Sequence, residues 1–519
     1  VSFPQVASKK GPRLDNVLKK WWGKLLIPSL SDFFFVAMTL WMFASGQGWS
    51  QLLMDGDTGW HIRTGEYILD HHSVPTTDLF SFSRAGQPWF AWEWLADVIF
   101  GALFRQMGLK GVVLLSGLMI SLTATILLRH MLWRKANLFI SVAITLFCAS
   151  AASIHYHARP HLFTLLFLVI TMWLLDRDRA RPDHAVWLLI PLMVLWTNLH
   201  GGFLVLIAIT GLLAGGSVLE ALLFESHKWR EAKRYSILLI GCSVATLLNP
   251  YGLGLHKHLV EYLRSNWIRD MVEEFHSPDF HSESMLYFEI LLFLSLVIAT
   301  IFVQRRRVVE VLWLGYFAHT ALASVRHVTI FVLVAGPLVA IEVSGWWAQW
   351  SSGQSKKSVA GILSQLAEEL SSGFRWASIW PAGLALALVL IGSPIKWPTD
   401  FADERFPVKI VSTYKEQLQS GRVFTSDQWG DYLIFRFYPR QKVYIDGRSD
   451  FYGQDLGKDY LALLQGQYNW SSILKRNSFE VVLAPISWPL CSLLKREPDW
   501  KVLADDGKTI LFKRQSSRP

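Results

Sequence analysis

The sequence predicts a polytopic α-helical membrane protein with a C-terminal soluble α/β domain, and three observations carry that prediction. The chain of 519 residues is 52% hydrophobic and only 18% charged, where soluble domains hold about 25% charged residues. Its apolar residues gather into runs that suit a hydrocarbon core about 30 Å thick. Lys and Arg recur in every second connection between those runs, as the positive-inside bias requires of short cytoplasmic loops.

Hydropathy places about eleven spans, near 29–50, 111–129, 137–154, 162–175, 185–200, 202–223, 236–248, 285–304, 308–324, 328–345 and 376–394. The basic N-terminal arm, residues 1–28, is expected in the cytoplasm, and an odd span count puts the C-terminus outside. The first apolar run follows that arm without a small-residue cleavage site, so no cleavable signal peptide is expected. The net charge of +9 lies largely in short loops, which speaks against a nucleic-acid partner. Cys148 and Cys242 fall inside apolar runs and Cys491 stands alone, so neither a disulfide framework nor a thiolate metal site is expected. The 25 tryptophans suit interfacial belts and sugar stacking equally.

Within the membrane module, residues 29–396, segments 51–110 and 249–284 fall on the outer side. They are joined there by a tail from 397 to 519. The tail reads as α/β, with strands at 421–426, 442–447 and 479–485 and helices near 427–438, 455–465 and 488–496. A closing hairpin pairs KVLADD with TILFKR.

Segment 51–110 carries the densest chemistry. Asp55 and Asp57 follow the first span. Spaced at i and i+2, they suit a divalent cation (Mg or Mn) or removal of a proton from an acceptor hydroxyl. They equally suit capping of the helix expected from Thr58 to Leu69. Glu93, between Trp92 and Trp94, is a second acid or a further ligand. A second amphipathic helix is expected from Ala91 to Phe104, and both helices are expected to lie in the membrane interface.

Other polar groups gather at span ends. His155, His157, Arg159 and His161 lie between the third and fourth spans. Arg159 and His161 read as phosphate or substrate contacts, His155 as an interfacial residue. Asn198 and His200 either line the outer cavity or cap a turn, and Arg326 with His327 opens the tenth span from outside as a phosphate contact. The acid- and His-bearing loop 273–281 reads as part of a lid. In the tail, Asp446, Arg448 and Asp450 either bind a ligand or pin their loop to the membrane part. The tail has no Gly-rich phosphate loop, nucleophile elbow or H-E-x-x-H of its own.

The string D-x-D-T-x-W-H-I-R-T-G-x-Y-I-L, followed by P-x-x-D-x-F-S-F, G-x-P-W and E-W-L, resembles bacterial membrane proteins of the GT-C glycosyltransferase superfamily. That superfamily includes the protein O-mannosyltransferases and the lipid A aminoarabinose transferase. The resemblance extends through HARPH (157–161), WTNLHGGF (196–203), SPDF (277–280), RHxxxF (326–331), WGDYL (429–433) and YIDGRSDFYG (444–453). It implies a GT-C-like module, an acidic catalytic base or metal ligand at Asp55 or Asp57, and a polyprenyl-phosphate-linked sugar donor used outside the cytoplasm. His61 and Arg63, within the first string, join His157, Arg159, His161, Asn198, His200, Arg326 and His327 as the expected substrate-binding set.

The expected function is therefore sugar transfer from that donor to a lipid, glycan or protein acceptor, in a bacterial inner membrane. Short basic cytoplasmic loops leave no place for a sugar-nucleotide site. A transporter or flippase of lipid-linked glycans is an alternative, as is a glycan polymerase or ligase with a diphosphate-linked donor. A scaffold whose tail recruits a partner is a third.

Overall fold

The computed structural model describes residues 25–44, 48–224, 228–374, 378–390 and 396–515. Most of the basic arm (residues 1–24), and Arg375 among the Lys and Arg of the alternate connections, lie outside the described residues.

Each predicted span falls on a helix, but the count of eleven is not upheld. Among the described residues, five helices are long and apolar enough to cross a membrane: Leu109–Trp133, Leu138–His155, Gly201–Leu223, Glu283–Gln304 and Val325–Ser352. Leu30–Phe43, His184–Leu199 and Val308–Ala323 are apolar but shorter. The His161–Ala180 helix carries Asp176, Arg177, Asp178 and Arg179 in its last turns, and the span expected at 376–394 lies partly outside the described residues, which show a helix at Trp380–Leu390. Hydropathy averages over a window and misses where the helix breaks or charges enter it. The basic residues that suggested orientation are also partly neutralised within the bundle. Arg179 meets Glu310 at 2.8 Å, and Arg234 meets Asp178 at 2.7 Å.

The three segments predicted to share one side do meet at one end of the bundle. Helices Asp57–His71 and Trp94–Met107 replace the predicted Thr58–Leu69 and Ala91–Phe104. Their expected placement in the membrane interface is corrected for the first helix, because Trp60 and Ile62 are only 6% and 0% exposed. Its small residues explain the burial. A Cβ on Gly65 would lie 1.8 Å from the Asp97 carbonyl oxygen, and one on Gly59 would lie 2.7 Å from that of Asp431. The helix is thus clasped between Trp94–Met107 and the tail helix Asp427–Phe437.

The tail forms a four-stranded sheet in the order β1-β2-β4-β3, from Val423–Phe424 (β1), Val481–Pro485 (β2), Trp500–Asp505 (β3) and Thr509–Arg514 (β4). β1 and β2 are parallel, whereas β4 runs antiparallel to both β2 and β3. The predicted hairpin is present, with Gly507 at φ +82° in its turn. The strand expected at 442–447 is not in this sheet. Its alternation instead serves the outer loop, where Val443 N–H donates to Phe80 O and Phe82 N–H donates to Val443 O, both at 2.9 Å. An additional helix, Trp470–Arg476, was not predicted. Arg448 clamps the same junction, bonding Asp446 at 2.6 Å and Asp78 of the outer loop at 2.8 Å. Asp446 and Arg448 thus pin their loop to segment 51–110 and Asp450 reaches His258 at 3.0 Å, while Arg448 and Asp450 also line the cavity described below.

Candidate functional site

A cavity of about 240 Å³ opens where the outer loop, the span ends and the tail converge. At its centre is Arg159, in the short connection before the His161–Ala180 helix. Its guanidinium lies 2.8 Å from Asp55 Oδ2, 2.9 Å from Asp57 Oδ2 and 2.9 Å from Glu274 Oε1. Asp57 is the first residue of its helix, and Asp55 accepts the Asp57 backbone N–H at 3.0 Å. Asp55 thus closes the turn into the helix, as the capping reading expects, and Asp57 lines the cavity.

Asp57 is buried and its Oδ1 has no hydrogen-bond partner. Burial pushes its carboxyl up to about 7 against the pull of Arg159, with Asp55 and Glu274 pushing the same way as burial. Behind it stands Asp431, whose Oδ2 is also buried without a partner. Burial, and then the neighbouring Asp57, hold Asp431 well above the ordinary carboxylate range. Glu274 differs: burial alone would raise it, but Arg159 and Arg326 hold it well below that range.

Glu93 forms a second cluster. Its oxygens lie 3.6 Å from His61 Nε2 and 3.4 Å from His200 Nε2. His61 Nδ1 is in turn 2.6 Å from Asp97 Oδ1. His200 Nδ1 accepts the Gly202 N–H at 2.9 Å, which leaves Nε2–H aimed at Glu93. Burial raises Glu93 to about 8 and lowers His61 well below its ordinary value. At neutral pH this arrangement holds a protonated carboxylic acid between two neutral imidazoles.

Arg326 completes the set. It donates to the Tyr262 hydroxyl at 3.3 Å and lies 4.7 Å above the Phe275 ring. Among the described residues no carboxylate lies within ion-pair distance of it. Leu165, Leu204, Val205 and Ile330 line the apolar side of the cavity.

Of the predicted site residues, Asp57, Glu93, His61, Arg159, His161, His200, Arg326 and His327 line the cavity, as does His155. Asp55 stands behind Arg159, and His157 lies 3.9 Å from Asp55. Two others sit elsewhere. Arg63 donates to the Phe435 carbonyl at 2.9 Å and so ties the outer loop to the tail. Asn198 is spent on Trp94 and on the carbonyls of Val194 and Leu248. Asp97, Asp431, Glu274 and Tyr262 were not singled out. Asp431 carried a sequence signal within the WGDYL string, and Glu274 one within the acid- and His-bearing loop 273–281. The loop read as a lid does supply Glu274 and Phe275 to the cavity.

The divalent ion expected at Asp55 and Asp57 does not fit this arrangement, because the Arg159 guanidinium occupies the space between the two carboxylates. Among the described residues no group of three or more His, Cys, Asp or Glu is arranged to hold a metal ion. Compared with known proteins, the chain matches no family model and no curated relative.

Proposed function

We propose that the protein is a GT-C-type membrane glycosyltransferase. It would move a sugar from a polyprenyl-phosphate-linked donor to a lipid, glycan or protein acceptor at the outer face of a bacterial inner membrane. Its N-terminus would lie in the cytoplasm and its tail outside. One observation carries the reading: a single cavity is lined by two acids, Asp57 and Glu93, and by Arg326, a cation with no carboxylate partner among the described residues, against an apolar wall.

In this reading the prenyl chain lies along Leu165, Leu204, Val205 and Ile330, and Arg326 takes the phosphate. Arg159 is already shared among three carboxylates, so its role is to fix Asp57. Asp57 removes the acceptor hydroxyl proton as that oxygen bonds to the anomeric carbon. The bond from that carbon to the phosphate oxygen breaks, and its electron pair leaves with the polyprenyl phosphate. Arg326 neutralises the developing charge, and protonated Glu93 donates a hydrogen bond towards it. The proton on Asp57 then returns to water. A carboxyl near 7 suits a general base at neutral pH.

The test is release of polyprenyl phosphate by purified protein in liposomes, across a panel of polyprenyl-phospho-sugars and diphosphate-linked glycans. Turnover of a monophosphate donor supports the reading. Turnover of diphosphate donors alone, or movement of intact donor across the bilayer without cleavage, favours the other readings.

A further inference from the structure

The molecule holds a second, larger cavity of about 1170 Å³ that the proposed chemistry does not use. It lies at the other end of the bundle. The helix that begins at Leu138 in this cavity runs to His155 in the acid-lined one. The Val328–Ser352 helix passes Ile330 at the acid-lined cavity and ends at Ser352 in this one. At 1.5 Å per residue the two cavities are roughly 25–35 Å apart, about the thickness of a hydrocarbon core.

The charge of this cavity is one-sided. Arg129, Arg134, Lys135 and Lys356 line it against one acid, Glu368. Arg134 is engaged by Asp176 at 3.3 Å, and Arg129 donates to Ser31 Oγ at 3.4 Å. Lys135 and Lys356 are exposed and form no ion pair among the described residues. Trp133, Trp173 and Trp347 also line the cavity, as aromatic residues do at headgroup depth.

The Val359–Ser371 helix roofs the cavity in an orientation that suits lipid rather than water. Val359, Ile362, Leu366 and Leu370 form an outward apolar stripe and are 75%, 53%, 40% and 38% exposed. Its polar residues Ser364, Glu368 and Ser371 face inward on the cavity, and Trp347 Nε1 donates to Ser364 Oγ at 2.9 Å. Such a helix lies in the plane of an interface with its apolar side in the acyl region.

We propose that this cavity binds the phosphodiester headgroup of an anionic phospholipid, taken from the leaflet opposite the acid cluster. Basic pockets between membrane helices bind such headgroups. The inference does not depend on the glycosyltransferase reading.

The experiment counts lipids retained by the full chain in native mass spectrometry, with phosphatidylglycerol or phosphatidylcholine supplied in mixed micelles. Phosphatidylglycerol is expected to be retained and phosphatidylcholine not. Lys135→Ala with Lys356→Ala weakens that retention roughly thirtyfold, whereas Lys501→Ala on the exposed surface of the tail leaves it unchanged. Equal retention of both lipids overturns the proposal, as does undiminished retention in the double variant. Inorganic phosphate that competes away the phosphatidylglycerol at equal concentration overturns the lipid as the source of the phosphate.

Discussion

Gly447 of the tail packs so closely on Asp57 of the outer loop that a Cβ there would lie 2.0 Å from Asp57 Oδ1 and 2.9 Å from Asp431 Oδ2. The tail is therefore part of the wall that sets the position of the principal acid. Gly447→Ala must displace Asp57 or push the tail away. Turnover is expected to fall about 100-fold, the scale of a 1 Å misplacement, with a stability loss of about 1–3 kcal/mol from overpacking. Parallel turnover and thermal unfolding measurements check both effects.

Burial and then Asp57 raise the Asp431 carboxyl well above its ordinary range, with Asp446 and Asp427 adding to the effect and the Gly447 N–H opposing it. A carboxyl raised in the folded state contributes stability that is full below its unfolded value, about 3.9. That contribution is lost as pH rises through the folded value. Asp431→Asn keeps the shape and removes the titration. Its stability profile should be flatter towards alkaline pH and should exceed the wild type there. Parallel profiles for the two proteins would contradict this.

If the proposed mechanism holds, Glu93 should give the alkaline limb of activity and Asp57 the acid limb. With Asp57 near 7 and Glu93 near 8, kcat/KM should rise through the first value as Asp57 ionises. It should fall through the second as Glu93 loses its proton. Glu93→Gln retains a neutral donor, so the acid limb should persist and the alkaline limb should disappear. A pH–rate series on both proteins decides it.

The two arginines should separate cleanly. Arg159→Met leaves three carboxylates without their cation and should cost roughly 2–4 kcal/mol, reduced from a fully buried pair because the side chain is 23% exposed. Arg326→Met breaks no ion pair among the described residues. It should leave unfolding nearly unchanged and raise the KM for the lipid-linked donor. Equal stability losses in the two variants would show that Arg326 is structural.

Much of this site was legible because its residues sit in short strings at span ends, where hydropathy and charge change together. Asp55, Asp57, Arg159, His200 and Arg326 all announce themselves in that way. The residues that complete their roles do not. Asp97 reads as the polar face of an amphipathic helix, and only the fold brings it to 2.6 Å from His61. Glu274 and Asp431 come from segments more than 200 and 370 residues away from Asp57 along the chain. Arg63 misled in the opposite sense, since its motif looked like substrate contact and its guanidinium meets the Phe435 carbonyl. In the fold, periodicity located the helices but could not give their unbroken lengths. Alternation at 442–447 identified an extended segment but not its partner, the outer loop.

The most direct test of the central claim is single-turnover release of polyprenyl phosphate by wild type and Asp57→Asn in the same liposomes. The donor is whichever monophosphate-linked sugar the wild type uses, and folding is checked by thermal unfolding. If Asp57 is the base, the variant remains folded and loses turnover by about 100- to 10,000-fold. Full turnover in a folded Asp57→Asn protein would contradict the mechanism.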